Sequence, residues 1–277
     1  MPPERHPAEM PNFDGNVALA VYTSMWTRPQ DCFTVNKLAR FMSSPGAPHI
    51  AAFKRLLRYQ AGTPHMGLVF SANPDECLLL AYTDASHMDC VDTSRSTVAY
   101  FTFMLGCPIS WFSKLDTKVT TATNHAEYCA MFHGTKEVIH LLAWIDPFMP
   151  LLRFVLGKPQ LSVRPVPLLL DSHGAYALSK DPVSRASNKH VRKEHHFVQE
   201  AVESKDILPV EIDTAENVAD IGTKSLPRTP HELHTSALVG ETRLAQMSAR
   251  IPSSVHADLI AKCLRSSSSS SSSSSRD

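Results

Sequence analysis

The sequence predicts an α/β fold: a mixed sheet flanked by helices and preceded by a helical hairpin. Three observations predict it. Two short apolar runs, residues 78–84 (Leu-Leu-Leu-Ala-Tyr-Thr-Asp) and 166–171 (Val-Pro-Leu-Leu-Leu-Asp), each end in a carboxylate. Such runs suit buried central strands, although periodicity alone leaves a buried helical turn open. Between them, residues 97–104 are rich in Val, Tyr, Phe and Thr, and residues 109–113 follow the turn Gly106-Cys107-Pro108. With the first run they form an antiparallel meander. Residues 124–144 then carry the longest helical pattern in the chain. A helix of that length can return the chain so that the second run lies parallel to the first, by a right-handed crossover.

The remaining elements follow in order. Residues 1–20 contain several prolines and are expected to be loop. Val35, Leu38, Ala39 and Met42 fall at helical spacing, and Ser43-Ser44-Pro45-Gly46 stops that helix. Residues 48–60 give a second helix, with Ile50, Phe53, Leu56 and Leu57 opposite Lys54, Arg55 and Arg58. Residues 66–70 are short and apolar, a further strand candidate leading into the core. Asn124 with Glu127 three positions on resembles a capping box. Short helices are expected at 151–156 and 172–178, a charged helix at 189–204, a strand at 207–212 and a brief helix at 215–221 carrying Asp220. Residues 231–244 are expected to be helical, and the serine tract at 266–275 is too polar to fold. The chain divides into an N-terminal tail and hairpin (1–64), a central domain (65–230) and a C-terminal extension (231–277).

At 277 residues the chain can bury a substantial core, and its formal net charge of zero gives no global attraction to nucleic acid. Any basic surface must be local. Six cysteines are scattered without a C-x-x-C pair, and the N-terminus has no apolar signal core. An intracellular, cytoplasmic or nuclear setting with free thiols follows, and no run is expected to span a membrane. Among fourteen histidines the pair His231-x-x-His234 lies in a polar stretch without a nearby cysteine, so zinc is not expected.

Four acids stand out: Asp84, Glu127, Asp171 and Asp220. Each alone has an ordinary explanation as a turn, cap or surface residue. Together their order suits two Mg²⁺ ions held by carboxylates about 3.5–4 Å apart, which activate a water and stabilise the leaving oxygen of a phosphodiester. Magnesium suits the task because it takes few protein carboxylates and keeps room for waters and substrate phosphate oxygens.

Several segments carry a resemblance. Asp84-Ala85-Ser86, Ser94-Arg95-Ser96-Thr97 and residues 109–114 (Ile-Ser-Trp-Phe-Ser-Lys) closely resemble the ribonuclease H region of copia-type retrotransposon polyproteins. So do His125-Ala126-Glu127-Tyr128, Asn188-Lys189-His190 with His196-Phe197, and residues 219–224 (Ala-Asp-Ile-Gly-Thr-Lys). Upstream, Thr27-Arg28-Pro29, residues 39–45 and residues 54–59 with Gly62-Thr63 are similar to the segment joining reverse transcriptase to ribonuclease H in that family. The resemblance covers roughly residues 17–240.

It implies a ribonuclease H fold with a five-stranded mixed sheet, and hydrolysis of the RNA strand of an RNA–DNA hybrid. The family's metal-binding acids fall on Asp84, Glu127, Asp171 and Asp220, with two Mg²⁺ ions, or Mn²⁺, as cofactor. The hybrid would be gripped through phosphates and ribose 2′-hydroxyls, with Lys114, Lys118, Lys189, Arg192 and Lys193 as phosphate contacts. A reverse transcriptase domain encoded elsewhere is a further expected partner. The sequence also departs from the family. Ala-Ser-His-Met-Asp follows Asp84 in place of Ala-Asp-Trp-Ala-Gly, and Ser-His-Gly-Ala follows Asp171 in place of Asn-Gln-Ser-Ala. Arg192 replaces a usual acid and Glu194 a usual base. No Tyr-x-Asp-Asp polymerase signature is present, so the chain reads as a detached piece of a polyprotein. Three behaviours are open: an active nuclease, a catalytically inactive relic that keeps the fold, or an α/β domain whose acids are merely surface residues.

Overall fold

In the computed structural model, five strands form one sheet, in the order Cys107–Leu115, Thr97–Met104, Leu79–Ser86, Val166–Leu170 and Ile207–Glu211. The residues described are 10–71, 77–120, 122–180 and 192–240. Strands β1 (Leu79–Ser86), β2 (Thr97–Met104) and β3 (Cys107–Leu115) are the antiparallel meander. Strands β4 (Val166–Leu170) and β5 (Ile207–Glu211) extend the sheet in parallel from β1. The helix α4 (Thr123–Ile145) supplies the crossover from the meander to β4. This mixed sheet with flanking helices is a ribonuclease H-like α/β fold.

The two sheet faces follow from strand alternation. Leu79 and Ala81 of β1 face α4, whose Tyr128, Met131, Val138 and Leu142 are buried with Leu168, Leu170 and Ile207 in one apolar cluster. Helices α6 (His173–Lys180) and α7 (Arg192–Glu203) complete that side through Ala175, Val198 and Ala201. Leu80 and Tyr82 point the other way, into a second cluster with Phe101, Phe103, Val218, Ile221 and Leu238. The last of these belongs to α8 (Arg228–Leu238). Gly134 lets α4 lie close on β1, since a Cβ there would sit 2.4 Å from Thr83 Cγ2. By length and composition the run Thr123–Val155 is apolar enough to cross a membrane, contrary to expectation. One face of it nevertheless seals the sheet.

Several expectations are corrected. Residues 13–26 are not loop but helix α1 (Phe13–Trp26), which buries Phe13, Val17, Ala20 and Ser24. With α2 (Cys32–Ala39) and α3 (Ala47–Gly62) it builds a small core of its own around Val35, Leu38, Phe53 and Leu56. The 66–70 segment forms no strand; its Val69 N–H bonds the Val239 carbonyl instead. The hairpin turn is one residue earlier than expected, at Leu105-Gly106, where both residues have positive φ (51° and 82°). That geometry matches the twist of a two-residue hairpin. Strand β1 continues past Asp84 to Ser86, because Ala85 and Ser86 keep pairing with Val98 and Thr97. Helix α5 is Met149–Val155, and residues 214–222 form two 3-10 turns, Thr214–Glu216 and Val218–Gly222, instead of one helix. The five described cysteines are free thiols, as expected. Residue Lys189, the 241–244 end of the last expected helix and the serine tract lie outside the described residues.

Candidate metal centre

Parallel pairing of β1 with β4 sets Ala81 opposite Leu168 and Tyr82 opposite Leu169. Two residues further along each strand, Asp84 and Asp171 arrive at the same end of the sheet. Asp84 shares the face of Leu80 and Tyr82, where the 3-10 turn Val218–Gly222 packs and delivers Asp220. Carboxylate oxygens of Asp84, Asp171 and Asp220 all lie within 4.8 Å of one another. Asp84 and Asp220 are 2% and 5% exposed, which rules out the surface-residue reading for them. Asp171 is half-buried and leaves the cluster open to solvent.

Glu127 approaches from the opposite face. It is buried in the second turn of α4, and its Oε2 accepts a hydrogen bond from the Ala85 N–H at 3.1 Å. The capping-box expectation is therefore corrected. Helix α4 begins earlier, after Ala122, and no side chain caps it. Glu127 instead pins the helix to the end of β1, next to the three aspartates.

Three residues that sequence reasoning left without a role hold the cluster in place. Thr223 donates its hydroxyl to Asp84 Oδ2. Asn217 donates from Nδ2 to the Thr83 carbonyl at 3.0 Å and to Asp171 Oδ1 at 3.3 Å, bridging β1 and the end of β4. Lys224 places its ammonium 2.7 Å from Asp220 Oδ1, one helical turn away in sequence. That spacing was the one readable signal; the other partners are remote in the chain.

The electrostatics call for more positive charge than Lys224 supplies. Burial pushes the Asp84 carboxyl up to about 7, and the Asp220 and Asp171 carboxylates push the same way against Thr223 and Lys224. Burial likewise raises Glu127, to about 9, helped by Asp84 and Asp171. Asp220 is raised by burial and by Asp171, with Lys224 pulling back. Burial acts to lower Lys224, but its bond to Asp220 and the surrounding carboxylates leave it raised. Like charges held together in low dielectric resist joint ionisation unless a cation neutralises them. All four acids are oxygen donors of the kind Mg²⁺ takes, so the residues fit a divalent cation.

A pH dependence follows. Acids raised in the folded state bind protons that the unfolded chain has already released. Stability without metal is therefore greatest below pH ~4 as far as these groups are concerned. It is lost as pH rises through about 7 for Asp84 and about 9 for Glu127. Urea denaturation of the metal-free chain should show stability falling across that window. In Asp84→Asn the fall should be shallower.

The phosphate-contact candidates are dispersed. Lys114 is exposed on the edge strand β3, Lys193 is exposed on α7, and Arg192 begins α7. Lys118 is exposed but its ammonium is engaged by Glu194.

No protein-family model matches the sequence. The chain is 34% identical over 219 residues, 79% of its length, to the retrovirus-related Pol polyprotein from transposon RE1 of Arabidopsis thaliana. It is 33% identical over 221 residues, 80% of its length, to the corresponding polyprotein from transposon TNT 1-94 of Nicotiana tabacum. With that from transposon RE2 of Arabidopsis thaliana it shares 34% identity over 203 residues, 73% of its length. The match spans 14%, 16% and 13% of those three polyproteins respectively. The chain thus corresponds to one segment of much longer relatives, and it belongs to the retrovirus-related Pol polyproteins of copia-type transposons.

Proposed function

We propose that this retrotransposon-derived segment is a Mg²⁺-dependent ribonuclease H that hydrolyses the RNA strand of RNA–DNA hybrids. The observation that carries this reading is the convergence of Asp84, Asp171 and Asp220 at the end of two adjacent parallel strands, with Glu127 closing the other side. These four carboxylates would hold the metal, with Mn²⁺ as the alternative ion. Bound Mg²⁺ supplies an activated water and charge that stabilises the leaving oxygen. The chain's own residues set the stage for it. Thr223 and Asn217 fix the orientation of Asp84 and Asp171, and Lys224 balances part of the negative charge. Half-buried Asp171 leaves the side from which a phosphodiester can enter. Lys114 and Lys193 are free of any ion pair among the described residues and suit backbone phosphates. Lys189 and Arg192 belong to the same proposal, and Lys118 joins it only by leaving Glu194. The hybrid, and a polymerase domain that would present it, are the proposed partners.

The test is cleavage of a labelled RNA–DNA hybrid by the full chain. The RNA strand is expected to be cut with Mg²⁺ or Mn²⁺ and left intact with a chelator. The altered residues after Asp84, Ser86-His87-Met88-Asp89, favour a second reading in which the fold persists as a relic. A chain that gains thermal stability from Mg²⁺ yet cuts no hybrid would establish that one.

A further inference from the structure

On α4, His125 and Cys129 are four residues apart and share one face of the helix. Glu194, in the first turn of α7, meets them there. One ligand atom from each of the three lies within 4.8 Å of the others. Cys129 Sγ is 3.8 Å from Glu194 Oε2, while the other oxygen of Glu194 takes the Lys118 ammonium. Glu127 lies between His125 and Cys129 in sequence, but residues two apart on a helix face different sides. Its carboxylate goes to Ala85, so this cluster is separate from the aspartates.

The neighbourhood holds polar atoms with nothing to bond. His125 Nε2, Asp116 Oδ2 and His195 Nδ1 are all buried without a hydrogen-bond partner. Asp116 is close enough to Cys129 to influence its thiol, and His195 stacks on Tyr128 with ring centroids 4.0 Å apart. An unpaired buried polar group costs about 1–3 kcal/mol. One such atom on the His125 imidazole itself, and two more beside the thiol and the carboxylate, mark a place built for a ligand that accepts electron pairs.

We propose that His125, Cys129 and Glu194 form a second metal site, selective for a thiophilic divalent cation such as Zn²⁺, with Asp116 or a water as fourth donor. Sulfur and imidazole ligands favour Zn²⁺ over Mg²⁺, which prefers oxygen. Ligand bonds of about 2.0–2.3 Å require only a small inward movement of side chains already this close. Binding exchanges the Cys129 S–H bond for an S–Zn bond and releases the proton to solvent. Lys118, on the outer oxygen of Glu194, would orient the inner one, as second-layer partners of metal ligands do. The consequence is mechanical: the ion ties the start of α7 to α4, beside the helix turn that carries Glu127.

Spectroscopic titration of the metal-free, reduced full chain with Co²⁺ tests the site. A thiolate-to-cobalt charge-transfer band should saturate at a single equivalent, disappear on addition of Zn²⁺ and ignore Mg²⁺ in excess. It should persist in Asp84→Asn, vanish in Cys129→Ser, and need at least about tenfold more Co²⁺ in Glu194→Gln. Glu194→Gln keeps the side chain's size and shape, so that variant decides the matter even if Cys129→Ser fails to fold. No thiolate band in the wild type, an unchanged band in Cys129→Ser, or an unchanged titration in Glu194→Gln would overturn the proposal.

Discussion

Asp84→Asn is expected to lower Mg²⁺-dependent hybrid cleavage by at least ~10²-fold, the scale on which one electrostatic element of such a site acts. The amide keeps the shape and can still accept the Thr223 hydroxyl, so the loss comes from charge. Asp84 is central: it is the acid that raises Glu127 most after burial itself, and Asp220 and Asp171 both act on it. The same change should stabilise the metal-free protein, because it removes a buried like charge. A gain on the order of 1 kcal/mol would lift the thermal midpoint by about 2–4 °C. A variant that loses activity by unfolding would lower the midpoint, so the two measurements together separate loss of charge from loss of structure.

Removal of residues 1–64 is expected to leave a chain that aggregates. The three N-terminal helices have their own small core, but they also cover the sheet. Cys32 of α2 belongs to the apolar cluster of Leu80, Tyr82, Phe101 and Phe103, and the Trp111 indole N–H of β3 bonds the Ser24 carbonyl at 2.7 Å. Further contacts join Tyr59 to His231, with ring centroids 5.7 Å apart, and Gln30 to Met66. Uncovering such a face costs several kcal/mol at about 25 cal/mol per Å², a large share of a typical total of about 5–15 kcal/mol. Sedimentation and dye binding of the 65–277 chain would check it. A soluble monomer with the midpoint of the full chain would show instead that the helices are a separable module.

How far the sequence foretold this arrangement depended on where each residue's partner lies. The strands ending near Asp84 and Asp171 were legible because apolar runs and a helix of crossover length leave few topologies. Parallel pairing then brings the two acids together without any further information. Helix α1 was missed for a physical reason. Its outward residues Leu19, Tyr22, Met25 and Trp26 are as apolar as its buried ones, so no polar face contrasts with the inward stripe. Glu127 was misjudged because a capping box is a local pattern, whereas its real partner is Ala85, 42 residues away. Thr223 lies 139 residues from Asp84, and Glu194 65 residues from Cys129. No spacing rule reaches across such gaps, which is why the roles of Thr223 and Asn217 and the cysteine-containing cluster became visible only in three dimensions.

The most direct measurement is the thermal midpoint of the metal-free full chain as Mg²⁺ is raised into the millimolar range. A cation that binds only the folded state stabilises it by mass action. The midpoint should therefore climb with Mg²⁺, more steeply at mildly alkaline than at mildly acidic pH, where protons already occupy Asp84 and Glu127. The climb should be absent in Asp84→Asn. A midpoint that ignores Mg²⁺, or rises equally in Asp84→Asn, would mean that the converging carboxylates are not a metal site.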